Sequence, residues 1–346
     1  MIMLNFAIVG CGHIAKKHAQ AIRQTKGAAL VAVCDPVVHT MKEYDEKDGA
    51  VMYETMSTLL QDQKVEAVII CTPSGLHADL AIEAACASKH VIVEKPLALT
   101  TAASSRVIAA CEKHGVKLAV VHPNRCRPGV QKLKEVLDHH DIGSVSHVNA
   151  TLRWNRTQAY FDQAAWRGTA ALDGGVLMNQ AIHNIDLLLW LMGDVEEVYC
   201  MKETRVRNIE EEDVCVGTLR FRSGALGMIE AATTIYPENL EESISFFAER
   251  ACIKLGGKQA VHIEHWKVHG MSPVESALLK AQIASDPFGK QGHCVIIEDF
   301  VQAVNEDRAP MVSGHEGQRA LAVVEAMYRS AQQNRPIKVA PQGVFV

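Results

Sequence analysis

An unbroken apolar run, Phe6 to Val9, opens directly into Gly10-Cys11-Gly12-His13-Ile14-Ala15, and a helical pattern then lasts to about Gln24. No other passage constrains the fold as much. After a buried strand, Gly10 permits a tight turn, Gly12 lets backbone N–H groups approach a diphosphate at the helix N-terminus, and Ala15 permits close helix packing. His13 and Ile14 sit in that turn and belong to the same candidate cofactor site. The next strand, from Leu30, ends in Asp35, at about the spacing where a carboxylate accepts the ribose hydroxyls of NAD and repels the 2′-phosphate of NADP. Strand, glycines, helix, strand and acid in that order predict a dinucleotide site that favours NAD.

Alternation continues beyond it. Helical patterns around Thr55 to Gln61, His77 to Ser88 and up to His114 separate the apolar runs VEAVIICT, HVIVEK and KLAVVH. Strands apolar on both faces and separated by helices mean a parallel sheet covered on each side. Their carboxyl ends, at Thr72, Glu94 to Lys95, and His122, lie on the edge where ligands bind to such sheets. Lys95 follows a buried strand and precedes Pro96, which fixes the backbone and removes a donor, so its amine is expected near the crevice.

A chain of 346 residues exceeds one ordinary core, and roughly 150 residues per domain suggests two. A formal charge of -5 and a pI near 6.3 exclude a nucleic-acid binder that relies on a broadly basic surface. The 10 cysteines are scattered without a CxxC pair, which suggests neither a zinc ribbon nor a disulfide framework and fits a reducing cytoplasm. The apolar start reads as a first strand and not as a signal peptide, and no apolar stretch is long enough to span a membrane. His262, His265 and His269 fall in strand and loop, where the rings would not share a face, so no metal is expected there.

From Pro123 the character changes, dividing the chain into a dinucleotide-binding domain, 1–122, and a second domain, 123–346. In SVSHVNATLRW, Val148, Ala150, Leu152 and Trp154 face one side while His147, Asn149, Thr151 and Arg153 face the other. That is the period of a strand with one open face. The hairpin pairs VCVGTLRF/ALGMIEAA and SISFFA/ACIKLG extend it into a mainly antiparallel, open-faced sheet, so the fold class is α/β followed by α+β. A second copy of the chain is the expected cover for the open face, as a homodimer or homotetramer. EEED at Glu210 to Asp213 reads as a solvated turn, and a capping box at Ser313 to Glu316 starts a last helix that runs to about Gln333.

The segment GGVLMNQAIHNIDLLLWLMG, Gly174 to Gly193, reads as an apolar helix with Asn179, His183 and Asp186 on one face. That face is expected to meet the cofactor and substrate, with Asp186 one turn on orienting the His183 ring and Asn179 holding a substrate hydroxyl. Arg153 and Arg156, with Tyr160 nearby, suit a carboxylate or diphosphate because a guanidinium fork matches such oxygens.

GCGHIA, Asp35, CTPSGLH at Cys71 to His77, EKP at Glu94 to Pro96 and the GG…NxxxH helix together resemble the Gfo/Idh/MocA oxidoreductases, in matching order along almost the whole chain. The resemblance implies an NAD-binding Rossmann domain, an open-faced second domain and oxidation of a sugar or cyclitol hydroxyl. It implies Lys95 and His183 as catalytic groups, Thr72, Pro73, Ser74, His77 and Glu94 as cofactor-lining residues, and Trp166 and Arg167 as the pair that reaches the cofactor from the second domain. Many members carry Asp where this chain has Asn179. ALDGGVLMNQ, with RWNRTQAYF before it, looks more like the UDP-N-acetylglucosaminuronate 3-dehydrogenase branch than like inositol dehydrogenases. A free-cyclitol or monosaccharide dehydrogenase and a non-catalytic dinucleotide sensor are the rival readings.

Overall fold

The computed structural model describes residues 3–340. The described residues divide into two compact units, one of 3–123 and 291–318, the other of 124–290 and 319–340.

In the first unit, β1 (Leu4–Val9), α1 (His13–Gln24), β2 (Ala28–Cys34), α2 (Lys42–Asp48), β3 (Val51–Tyr53), α3 (Met56–Leu59), β4 (Ala67–Ile70), α4 (His77–Cys86), β5 (His90–Val93), α5 (Thr101–Lys113) and β6 (Leu118–Val120) follow in order. All six strands run parallel, in the order β3-β2-β1-β4-β5-β6. The chain reverses direction between β1 and β4, the place where an open doubly wound sheet leaves a ligand crevice. Strand residues Phe6, Ile8, Val33, Ile69 and Ile92 are fully buried, as apolar strands covered on both faces must be. Ile22 of α1 packs into the same core.

The second unit contains α6 (Pro128–His139), β7 (Val145–Arg153), α7 (Gln158–Phe161), α8 (Ile182–Met192), β8 (Val195–Glu203), β9 (Val214–Phe221), β10 (Leu226–Ala232), β11 (Glu241–Ala248), β12 (Ala251–Gly256), β13 (His262–Val268) and α9 (Pro273–Ser285). Then α10 (Gly292–Asn305) returns to the first unit, where Phe300 tilts against Phe6 at 6.3 Å between ring centroids. Helix α11 (Gly314–Gln333) and β14 (Ile337–Lys338) complete the fold. Reading domains by order along the chain assigns everything after 122 to the second body, and the return of 291–318 departs from that reading.

The eight-stranded sheet has the order β13-β12-β11-β7-β10-β9-β8-β14. Its neighbours pair antiparallel except β7 with β10, which run parallel. Val148, Ala150 and Leu152 are buried on the inner face, as the alternation in β7 requires. On the other face Met201, Val216, Leu226 and Met228 are exposed. Among the described residues no helix is long and apolar enough to cross a membrane. Helix α9 has a capping box that the sequence reading missed: Ser272 accepts the Glu275 N–H while the Glu275 carboxylate accepts the Ser272 N–H.

Candidate active site

The turn after β1 is dictated by the backbone beside it. Gly10 has φ +89°, and a Cβ there would lie 2.8 Å from the Cys71 carbonyl carbon, so no other residue fits without moving the end of β4. Gly12 faces open space and caps α1 without any side-chain hydrogen bond, which leaves the first-turn N–H groups directed outward. Asp35 ties the end of β2 to this turn. Its Oδ2 accepts the Cys11 N–H and its Oδ1 the Val37 N–H, both at 2.8 Å. Burial, with Asp35 adding to it, pushes the Cys11 thiol up to about 12 and the Cys34 thiol up to about 11, so neither is a nucleophile at neutral pH. Thr72 Oγ1, at the end of β4, is buried without a hydrogen-bond partner among the described residues. Uncapped N–H groups, a glycine without steric cover, an acid at the end of β2 and an orphaned hydroxyl fit a dinucleotide.

At the end of β5, the Glu94 carboxylate points inward. Its Oε1 lies 2.8 Å from His18 Nε2 and 3.6 Å from His293 Nε2, and its Oε2 accepts the Lys95 N–H at 3.2 Å. Glu94 is thus held from within the unit. His77 is 1% exposed, and its ring nitrogens face the carbonyl oxygens of Pro96 (2.7 Å) and Thr72 (2.9 Å). Burial lowers its pKa, so the ring donates to one carbonyl at a time and staples the β4 loop to the β5 loop. Lys95 itself is half-buried.

In the second unit the helix that carries His183 does not begin as an α-helix. Leu177–Ala181 form a π-helix, and α8 starts at Ile182. Asn179 lies in the π turn and His183 in the first α turn, so the ideal face drawn from uniform α periodicity is displaced at its start. The cause lies in the two glycines and an acid. Gly174 has φ +83°, and a Cβ on Gly175 would coincide with the Glu212 carboxyl, 2.2 Å from its carbon. Glu212 Oε1 accepts the Leu177 N–H (2.9 Å) and the Tyr328 hydroxyl (3.1 Å), while Oε2 meets Lys202 at 3.2 Å. Burial raises the Glu212 pKa and Lys202 opposes this.

The acidic run is therefore no solvated turn. Glu212 and Asp213 are buried, and Asp213 accepts the backbone N–H groups of Arg205, Val206 and Arg207 at 2.7 to 2.8 Å.

Asn179 donates through Nδ2 to Asp173, which also accepts the Gly168 N–H at 2.8 Å. Asp186 is 1% exposed, and its two oxygens accept from Arg125 Nε (2.8 Å) and Nη2 (2.6 Å). The Arg153 fork is matched by both Glu230 oxygens (2.8 and 2.6 Å), and it reaches Glu241 at 2.9 Å. Arg156, Tyr160, Arg167 and Trp166 do come together. Arg167 donates to the Tyr160 hydroxyl at 2.5 Å and lies 4.7 Å from the Trp166 ring centroid, and Arg156 lies 5.4 Å from that of Tyr160.

Sequence reasoning missed His18, His293, Asp173 and Glu212. His18 had a local signal, a polar ring on the apolar face of α1, and Asp173 immediately precedes the paired glycines. Glu212 had none, since only long-range packing separates it from its exposed acidic neighbours.

Comparison with known proteins extends along both units. Residues 4–122 match the model described as the oxidoreductase family with NAD-binding Rossmann fold, and residues 130–254 match the GFO/IDH/MocA C-terminal domain. The WlbA dehydrogenase from Bordetella pertussis, solved with NADH and UDP-GlcNAcA, is 36% identical with a TM-score of 0.93, covering 99% of both chains. Its counterpart from Chromobacterium violaceum, solved with the same two ligands, is 34% identical with a TM-score of 0.92, covering 99% of this chain and 98% of that one. The myo-inositol 2-dehydrogenase of Thermotoga maritima is 26% identical, covering 97% of this chain and 98% of its own.

Proposed function

The chain belongs to the GFO/IDH/MocA oxidoreductases, NAD-dependent dehydrogenases acting on CH–OH groups, and from that premise we propose that its substrate is a nucleotide-linked sugar acid. The observation that carries this reading is full-length likeness, at more than a third identity, to a dehydrogenase solved with NADH and UDP-GlcNAcA.

When bound, NAD supplies the acceptor for the hydride that leaves the alcohol carbon. Gly10, Gly12, His13 and Ile14 would hold its diphosphate through backbone N–H groups, Asp35 would accept the ribose hydroxyls, and Thr72, Pro73 and Ser74 would line the crevice, with Trp166 and Arg167 as further cofactor-binding residues. His183 takes the hydroxyl proton on a ring nitrogen. Lys95 orients that hydroxyl and stabilises the developing alkoxide with its ammonium. Asn179 cannot accept a proton as an acid would, and serves as a hydrogen-bonding partner of the sugar. Arg156 and Tyr160 meet the substrate's carboxylate or diphosphate.

The cell compartment that fits 10 free cysteines is the cytoplasm, and the exposed sheet face suits a second copy of the chain.

The test is single-turnover reduction of bound NAD, followed at the reduced-nicotinamide band, with UDP-GlcNAcA, free uronic acids and myo-inositol offered separately. UDP-GlcNAcA is expected to react at least a hundredfold faster than either free compound. Faster reaction of inositol would move the assignment to the cyclitol dehydrogenases, a reading that the Thermotoga maritima relative supports. No reaction with any polyol, despite bound NAD, would favour a sensor. Separate Lys95→Met and His183→Ala proteins test the division of labour: both lose rate, and only His183→Ala should lose the ionisation that governs proton removal. A full rate with an unchanged pH profile in His183→Ala would refute its role as base.

A further inference from the structure

Three side chains from three elements of the first unit converge beneath Lys95. His18 projects from α1, Glu94 ends β5 and His293 projects from α10, and their nearest ligand atoms all lie within 4.8 Å of one another. The two rings meet edge to face, 5.0 Å between centroids at 83°. His18 is fully buried, and the Glu94 and His293 side chains are 9% and 13% exposed.

The protons can be assigned from geometry. At 2.8 Å from a carboxylate oxygen, His18 Nε2 carries a proton and donates it. His18 Nδ1 is buried and has no hydrogen-bond partner among the described residues. A second proton there would be an N–H sealed without an acceptor, which costs more than a bare lone pair. The ring therefore remains neutral, in agreement with a pKa lowered by burial, and Glu94 retains its charge through hydrogen bonding and not through neutralisation. Burial opposes that charge, and the hydrogen bond from His18 together with the nearby His293 ring prevails, holding the carboxyl well below its ordinary range. The same orphaned Nδ1 argues against a metal centre, since a metal-bound imidazole commonly gives its other nitrogen to a partner.

We propose that His18 and His293 are positioning residues for the reaction. With His18 hydrogen-bonded to Glu94 Oε1 and His293 flanking that oxygen at 3.6 Å, Oε2 is aimed at the Lys95 N–H, and the peptide plane so fixed sets the direction in which the Lys95 side chain departs. The proposal rests on the assignment of Lys95 to catalysis. Cys71 from the end of β4 and His77 from α4 feel the same charge, while Lys95 acts on His77 and Lys17 acts on His18 from α1. None of them replaces the donor at Oε1.

Full-length His18→Leu, His18→Gln and His293→Gln proteins test it. Glutamine retains an N–H donor in reach of Oε1 and leucine does not. In His18→Leu the buried carboxylate loses its donor and its pKa rises. NAD affinity is expected to stay within about threefold, while single-turnover rate falls at least tenfold and falls further as pH drops through an ionisation absent from the parent. His18→Gln restores the rate to within about threefold and removes that ionisation. His293→Gln lies between them. A second measurement needs no turnover: hydrogen exchange at the Lys95 amide, resolved by NMR, is expected to accelerate at least tenfold in His18→Leu and to match the parent in His18→Gln.

A parental rate, pH profile and amide exchange in His18→Leu would overturn the proposal, as would loss that glutamine fails to rescue. Equimolar zinc that survives a chelator and is lost in His293→Gln would also overturn it, in favour of a metal site. If the exchange result holds and no sugar acid reacts with the parent, the positioning network stands and the substrate assignment falls.

Discussion

Asp35 shows how one carboxylate can carry both structure and specificity. It accepts two backbone N–H groups, from Cys11 and Val37, at the edge of the proposed adenosine ribose site. Asp35→Asn keeps an acceptor and removes the charge, so the fold should persist. A charge-assisted hydrogen bond is worth about 1.5–3 kcal/mol, so NAD affinity should fall roughly tenfold or more while NADP, freed from repulsion, gains; fluorescence titration of both cofactors checks this. Glu242 offers a test by pH. It is fully buried on the inner sheet face, Oε1 meets Arg127 at 3.2 Å, and Oε2 has no partner among the described residues. Burial raises its pKa and Arg127 opposes this. With the folded pKa above the unfolded one, its contribution to stability is complete below the unfolded value and declines as pH rises through the folded value. The Tm of Glu242→Gln relative to the parent should therefore climb between pH 4 and about pH 7; a flat difference would contradict the sign. The place of Asp35, at the end of β2 beside the β1 turn, was legible in the sequence because it follows from distance along one βαβ unit. The partners of Asp186 and Arg153, Arg125 on one hand and Glu230 and Glu241 on the other, were not legible, because packing and strand register far along the chain set them.

Among the elements, the helix bearing His183 was found from its apolar pattern, and the π turn at its start was not. Leu177, Met178, Gln180 and Ala181 are all buried, so composition there looks the same whether four or five residues close a turn. What selects the wider turn is Glu212, whose carboxylate occupies the volume where Gly175 lacks a side chain and accepts the Leu177 N–H. Gly175→Ala brings a methyl against a buried carboxyl that cannot leave without abandoning Leu177, Tyr328 and Lys202. Overpacking of this kind costs about 1–3 kcal/mol. Thermal unfolding should show that loss, and turnover should fall more than the folded fraction does, because the segment displaced is the one that places Asn179 and His183. Equal falls would mean that the π turn serves stability alone. The dinucleotide strands were legible because each is buried on both faces, whereas the return of α10 to the first unit was hidden, since a buried helix face does not name the sheet it covers.

For the molecule as a whole, the open face of the eight-stranded sheet sets the remaining expectation. Register places Met201 of β8 opposite Val216 of β9, and Leu226 of β10 beside His147 of β7, whose ring stacks on Phe247 of β11 at 4.5 Å. Met201, Val216, Leu226 and Met228 are exposed there, while Arg153 and Glu230 pair on the same face. An apolar stretch with charged groups at one side has the composition of an interface centre with a polar rim, and a stable interface covers about 800 Å² on each partner. A two-fold axis over the sheet would bring the same strip of both copies together, so one substitution acts twice. Met228→Glu sets two carboxylates into that strip. Light scattering on the eluting peak should give a dimer or tetramer for the parent and a smaller species for Met228→Glu, with unchanged far-ultraviolet circular dichroism. Leu278→Glu, at an exposed position of α9 outside the strip, should leave the assembly intact. A parent that elutes as a monomer at micromolar concentration would instead leave the sheet face to some other partner.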